Sequence, residues 1–366
     1  MELNTLFYLA VILLSGLLFG RLVKLIKLPN VTGYLLAGLV IGPYVLKLIP
    51  QNIADSMGLV SEMALAFIAF TIGLSFKRSY FKKVGFAPVL IALFEALFAV
   101  FFVQIALVLT GNDVAFSIVL GAIAAATAPA ATIMVIKQYK ANGPVTQTLM
   151  SVVAIDDAVA LIAFGFCVAI ASAIKTPGSN IGFTILKPFI EVFSSVAIGA
   201  ILGILMKIPL KFFKKSGNRL VIIIGFVFMT SALASFFGAS ALLSCMIAGT
   251  VLCNISEESD QVAELSDLIT PPLFLMFFVV SGAELDVSVI PKIGLIGVIY
   301  VVMRVIGKMA GSFLGAKIMK APKEVCRYLG PTLLPQAGVA IGLTIVAPVS
   351  YTHLDVYKRQ VVEHIL

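Results

Sequence analysis

The sequence predicts an all-α polytopic membrane protein built on an inverted repeat with two discontinuous helices. Three observations carry this. Of the 366 residues, 60% are hydrophobic and 12% are charged, with a mean hydropathy of +1.11, whereas a soluble domain carries roughly 25% charged residues. Apolar runs of near twenty residues, the length that crosses a bilayer, recur from end to end. Finally, three short motifs of the first half return in the second half at nearly constant offset.

Twelve runs read as spans: 3–26, 31–49, 57–76, 85–110, 114–136, 146–174, 184–207, 218–237, 239–254, 262–284, 290–318 and 324–349. The first lacks a basic start and a small-residue cleavage site, so it reads as a span and not a removable signal. The fifth and twelfth contain Pro129 and Pro335, the sixth contains Asp156 and Asp157, and the eleventh contains Arg304 and Lys308. The ninth is short. With the N-terminus outside, loops on the inner side collect eighteen Lys and Arg against four outside. That is the asymmetry cytoplasmic loops show, and one miscounted span would reverse it from that point on. The expected location is therefore the cytoplasmic membrane. The +8 net charge sits in these loops and signals no nucleic-acid partner.

The repeat is read from three matches. Leu36-Ala37-Gly38-Leu39-Val40-Ile41 resembles Ile247-Ala248-Gly249-Thr250-Val251-Leu252, Gly73 matches Gly282, and Pro129 matches Pro335. Span 1 enters from outside and span 8 from inside, so the units are inverted, an arrangement that places a transport site at midplane. Residues 1–349 form one transmembrane domain, with repeats of about 3–174 and 218–349 and a linker helix at 184–207. After Val349 the text turns abruptly polar, and Ser350–Gln360, SYTHLDVYKRQ, is similar to translated adapter sequence. Residues 350–366 are read as an artefactual tail that replaces a thirteenth span.

Enzyme chemistry has little raw material. Both histidines, His353 and His364, fall in that tail, and the four cysteines show no metal spacing. No cofactor is expected.

Chemistry concentrates instead in the sixth run, where Asp156 and Asp157 adjoin inside the apolar stretch Thr146–Ile174. Burying one charge in hydrocarbon is costly, and two neighbours are costlier. Successive helical residues point about 100° apart, so one carboxylate can meet a fixed cation while the other faces a wet cavity. They lie roughly 15 Å into the span, near midplane. Such a pair suits alternate carriage of a cation and a proton. An ion-pair network that only joins helices is the plainer alternative, but apolar packing does that with less desolvation. Lys308, too deep to snorkel, is expected to bind Asp156 and release it when the cation arrives. Arg304, one turn earlier, has an aspartate, a helix C-terminus or another buried acid such as Glu95 or Glu62 for a partner. Glu62 and Glu95 receive no role.

In AAATAPAATIMV, Pro129 removes a backbone donor and clashes with the carbonyl of Ala125. The helix is expected to unwind there, and Thr127 to offer an oxygen to the cation. Pro335, Gln336 and Gly338 in LLPQAGVAIG occupy the corresponding place. Irregular backbone at this depth persists only where it is buried in protein or lines a cavity.

TAPAAT in a broken helix, AIDDA in the next span, RVIGK late and LPQAG in a second broken helix together resemble the monovalent cation:proton antiporter superfamily, in its bacterial NapA-type and Kef-type branch, over about residues 3–349. The resemblance implies a thirteen-helix antiporter fold with crossed broken helices, a homodimer, and a core domain moving as an elevator. By motif position it makes Asp157 the main carrier, pairs Asp156 with Lys308, and sets Thr127 near the ion. The double aspartate is similar to the electrogenic two-proton members. Kef-type proteins usually replace the first aspartate and add a nucleotide-binding domain, so Na⁺/H⁺ exchange is favoured over K⁺/H⁺ exchange or Kef-like potassium efflux. The partners would be a monovalent cation, a proton and the bilayer. A sodium-coupled organic-anion symporter is the next alternative, and a gated channel or membrane sensor a further one. The buried Asp-Asp-Lys set argues against the symporter.

Overall fold

The computed structural model describes residues 4–74, 76–77, 85–175, 181–285 and 290–336. The tail at 350–366 and Gly338 lie outside them. All regular structure among the described residues is helical. In chain order the helices are α1 (Thr5–Leu25), α2 (Asn30–Ile41), α3 (Gln51–Ser56), α4 (Gly58–Leu74), α5 (Ala87–Leu109), α6 (Val114–Ile123), α7 (Pro129–Tyr139), α8 (Pro144–Lys175), α9 (Ile181–Phe212), α10 (Ser216–Phe236), α11 (Ala241–Ile255), α12 (Ser259–Ala283), α13 (Ile290–Ile318) and α14 (Lys323–Thr332). Each of the twelve expected runs contains a helix. Seven of these helices are long and apolar enough to cross a membrane alone, eight if the bent pair Pro144–Val153 and Ile155–Val168 is counted as one span.

Two boundaries differ from expectation for local reasons, and one break falls where it was expected. The second run was expected to continue to residue 49, but α2 stops at Ile41, where extended Gly42 precedes Pro43. The fifth run unwinds at Pro129 as expected. α6 ends at Ile123, residues 124–128 are non-helical, and Pro129 opens α7 at a first-turn position that needs no amide donor. α13 carries a break at Gly294, which takes φ +56°, a left-handed conformation that favours glycine.

The helices sort into two compact units, Met1–Arg78 with Ser194–Ser288, and Ser79–Phe193 with Val289–Leu366. Both draw on the two halves of the chain.

In the first unit α2 packs on α12, and α4 packs on α11. Lipid tails give helices little hydrophobic reason to associate, so close backbone approach at small residues does that work. A Cβ at Gly38 would strike the backbone of Val279 and Ala283, and one at Gly282 would strike Leu35. At the other crossing, a Cβ at Gly249 would strike Phe70, and one at Gly73 would strike Met246. The glycines of the sequence matches are therefore the contact points of two crossings, each pairing a helix of one half with a helix of the other. Span 2 meets span 10 as span 9 meets span 3, the pattern that a two-fold relation between repeats requires.

In the second unit the broadest packing is α5 on α13. Gly307, Gly311 and Gly315 form a stripe one turn apart along α13. Cβ atoms there would meet the backbone of Ala99, Glu95 and Ile91 in turn, at 2.7, 2.7 and 3.0 Å. On α5 the facing stripe is Ala92, Ala96 and Ala99, all fully buried, with Glu95 among them. α8 packs against α5, α6 and α14 and completes this unit's described core.

Candidate functional site

The second unit gathers Asp156, Asp157, Lys308, Arg304, Glu95, Thr127, Pro129 and Pro335. Asp156 and Asp157 sit on α8 just beyond its 41° bend between Val153 and Ile155. Both are buried, and Asp157 keeps 6% exposure against 1% for Asp156, so it is the less enclosed of the two. Lys308 is fully buried and Arg304 is 5% exposed.

The two proline interruptions meet. The amide of Ala128, just before Pro129, donates to the carbonyl of Pro335 at 2.9 Å. Broken helices leave carbonyls without intrahelical partners, and here cations and amides take them up. Arg304 donates from Nε to Ala124 O at 3.2 Å, from Nη2 to Ala126 O at 2.8 Å and from Nη1 to Leu334 O at 2.6 Å. Its rigid fork of donors thus holds the break between α6 and α7 and the stretch after α14 at once. The Gln336 amide donates to Ile123 O at 3.0 Å and contacts the Tyr300 hydroxyl at 2.8 Å. Arg304 faces the carboxyl end of α6, and among the described residues no salt bridge joins it to Glu95 or Glu62. Of the partners open to it, the helix terminus is the one it takes. Glu62 instead lies in the first unit, exposed, where Ser231 Oγ donates to it at 3.3 Å.

Lys308 makes the expected ion pair with Asp156, but in wider company. Its ammonium donates to Ala125 O and, at 2.8 Å, to Thr127 Oγ1. The nearest carboxylate is Glu95 Oε2 at 2.6 Å, and Asp156 Oδ2 lies at 3.8 Å. Asp156 is thus a neighbour of Lys308, but Glu95 is its tighter partner. The reason is the glycine stripe, which brings the α5 backbone against α13 at Gly311 and sets Glu95 beside the amine. The Thr127 hydroxyl is engaged by Lys308, although an oxygen with two lone pairs retains room for a second partner.

Both oxygens of Asp156, both of Glu95 and Oδ1 of Asp157 are buried without a hydrogen-bond partner among the described residues. Buried carboxylate oxygens normally have partners. Unfilled acceptors beside one amine and one hydroxyl can take a proton or the oxygen-seeking coordination of a small cation. Among the described residues no group of three His, Cys, Asp or Glu side chains is placed to hold a resident metal ion.

Sequence reasoning left Glu95 and Tyr300 without roles. The signal for Glu95 was present: a glycine every fourth residue, starting beside Lys308, demands a close helix with small residues, and Ala92, Ala96 and Ala99 mark α5 as that helix. Tyr300 had no comparable mark.

A broken helix whose gap meets the end of another helix beside buried acids and bases, in an all-helical chain of apolar helices, defines a secondary-transporter architecture. Residues 9–365 match the family described as sodium/hydrogen exchanger, transmembrane, and the chain belongs to that family. Its relatives include a Na(+)/H(+) antiporter of Enterococcus hirae, 24% identical over 91% of this chain and 87% of that one. Another is the probable Na(+)/H(+) antiporter GerT of Bacillus cereus, 25% identical over 92% and 88%. The ammonium/H(+) antiporter subunit AmhT of Alkalihalophilus pseudofirmus is 23% identical over 93% and 86%. The fold is shared with the sodium proton antiporter MjNhaP1 of Methanocaldococcus jannaschii, with a TM-score of 0.75 at 18% identity over 99% of this chain and 93% of that one.

Proposed function

We propose that this protein is a secondary antiporter that exchanges a monovalent cation, Na⁺ foremost, for H⁺, with both competing for Asp157 and Asp156. The observation that carries the reading is the set of unpartnered carboxylate oxygens on these two residues, in the unit where both helix breaks meet. A proton on one carboxyl and a cation among several oxygens are alternative ways to settle the same buried negative charge. A site that never holds both couples their fluxes without a nucleotide, provided it opens to each side in turn. Asp157, less enclosed than Asp156, is assigned as the main carrier. Asp156 and the Thr127 hydroxyl complete the cation's oxygens. Arg304 fixes the breaks, and Lys308 balances the buried acids.

The family and the names of full-length relatives support the exchange, and the names support Na⁺ before other ions. The ammonium/H(+) relative makes NH₄⁺ a second cation to test. Residence in the cytoplasmic membrane with the N-terminus outside rests on the loop charges, and a homodimer on the family resemblance. The test is uphill coupling in proteoliposomes: an imposed Na⁺ gradient should drive protons against their own gradient, with K⁺ and NH₄⁺ compared in parallel. Cation flux that cannot move protons uphill identifies a channel and refutes the proposal.

A further inference from the structure

We infer that Glu95 is a positioning residue for exchange, holding Lys308 away from Asp156 and so leaving Asp156 available to the transported cation. This rests on the antiport reading above and concerns a residue to which that reading gives no part.

Lys308 sits among oxygens at unequal distances, and its ammonium has three N–H groups. Two are committed, one to the Ala125 carbonyl exposed by the break and one to Thr127 Oγ1. Two carboxylates lie around the amine as ion-pair partners, unequally: Glu95 Oε2 at 2.6 Å and Asp156 Oδ2 at 3.8 Å. All three side chains are at most 1% exposed, so little water screens this choice.

The competition is fixed by packing. Glu95 lies where Gly311 lets the two backbones touch, and Ala92 and Ala96 lock the helix face around it. The Glu95 carboxyl group there is the nearest acid to the amine. Without it, the acid remaining beside the amine is Asp156. Asp156 would then be neutralised from inside the protein, and an arriving cation would have to displace a lysine. The charged groups that face Glu95 are Lys308, Asp156 and Arg304. Arg304 is committed to carbonyls and does not compete for the role.

The experiment measures Na⁺-driven proton movement in proteoliposomes of the whole protein as a function of Na⁺ concentration. Glu95→Gln should raise the half-saturating Na⁺ concentration about tenfold while the maximal rate stays within about twofold of wild type. Glu95→Asp keeps the carboxyl group but draws it back by one methylene, and should fall between wild type and Glu95→Gln. It also supplies the reading if the glutamine variant does not fold. Unchanged half-saturation in both variants overturns the inference, as does a lower maximal rate at unchanged half-saturation, which a merely structural residue would give. Wild type without Na⁺-driven proton movement is a different failure, and removes the antiport reading itself.

Discussion

Ala128 and Pro335, more than two hundred positions apart in the chain, are joined by one backbone hydrogen bond of 2.9 Å. Each flanks a place where a membrane helix stops short. An unpaired amide or carbonyl in hydrocarbon costs several kcal/mol, so two breaks that satisfy each other make an interior of irregular backbone tolerable. Arg304 and Gln336 reinforce the junction, and the acids of α8 sit in the same unit.

Asp157→Asn keeps the side chain's size and removes its charge and titration. Cation-dependent proton release from vesicles should be abolished, while expression and thermal unfolding in detergent stay close to wild type. Normal exchange by this variant excludes Asp157 as the carrier.

Lys308→Ala leaves Glu95 and Asp156 buried without their cation. Removing one partner of a buried ion pair costs about 3–5 kcal/mol, so detergent-solubilised protein should unfold at clearly lower temperature. Activity or electrogenicity should be lost as well. A variant with unaltered current and unaltered melting takes the lysine out of both the mechanism and the scaffold.

Gly311→Leu drives a side chain into the backbone of α5 at Phe94 and Glu95. Overpacking usually costs about 1–3 kcal/mol, and here the obstacle is backbone, which yields less than a side chain. Thermal unfolding should fall at least that far, and exchange with it. Gly217→Ala, at a glycine with open space around it, serves as the control and should change neither.

Lys77, past the end of α4, and Asp260, in the first turn of α12, form a 2.7 Å pair in the first unit, with side chains 50% and 79% exposed. Asp260 raises the Lys77 amine above its ordinary value of 10.5 through a hydrogen bond. A raised lysine contributes stability that is fully present below its unfolded value and is lost as pH climbs through the higher folded one. Any loss therefore falls in strongly alkaline solution. Exposed pairs contribute below about 1 kcal/mol, so Lys77→Ala should leave melting at neutral pH nearly unchanged. A large drop there would show that the pair is more enclosed than its exposure indicates.

Much of this architecture is written in local chemistry. Hydrophobic length announces the spans, and Pro129 and Pro335 announce the breaks because proline cannot supply an interior amide. Gly38, Gly73, Gly249 and Gly282 announce the repeat because only a hydrogen fits where backbones cross. The partner of Lys308 was harder to read. An ammonium on a flexible stem carries no address, and the choice between Glu95 and Asp156 is settled by how closely α5 approaches α13, a matter of three glycines facing three alanines. The end of α2 at Ile41 was obscured for a related reason: residues 42–49 are apolar enough to continue a span, and only the Gly-Pro step stops the helix.

The central claim is that protons and the transported cation compete for the buried aspartates. Its most direct test is the half-saturating Na⁺ concentration of proton exchange in proteoliposomes, measured across a range of pH. Competition predicts that half-saturation rises steadily as pH falls, while the rate at saturating Na⁺ holds constant. A half-saturation independent of pH would contradict a shared site.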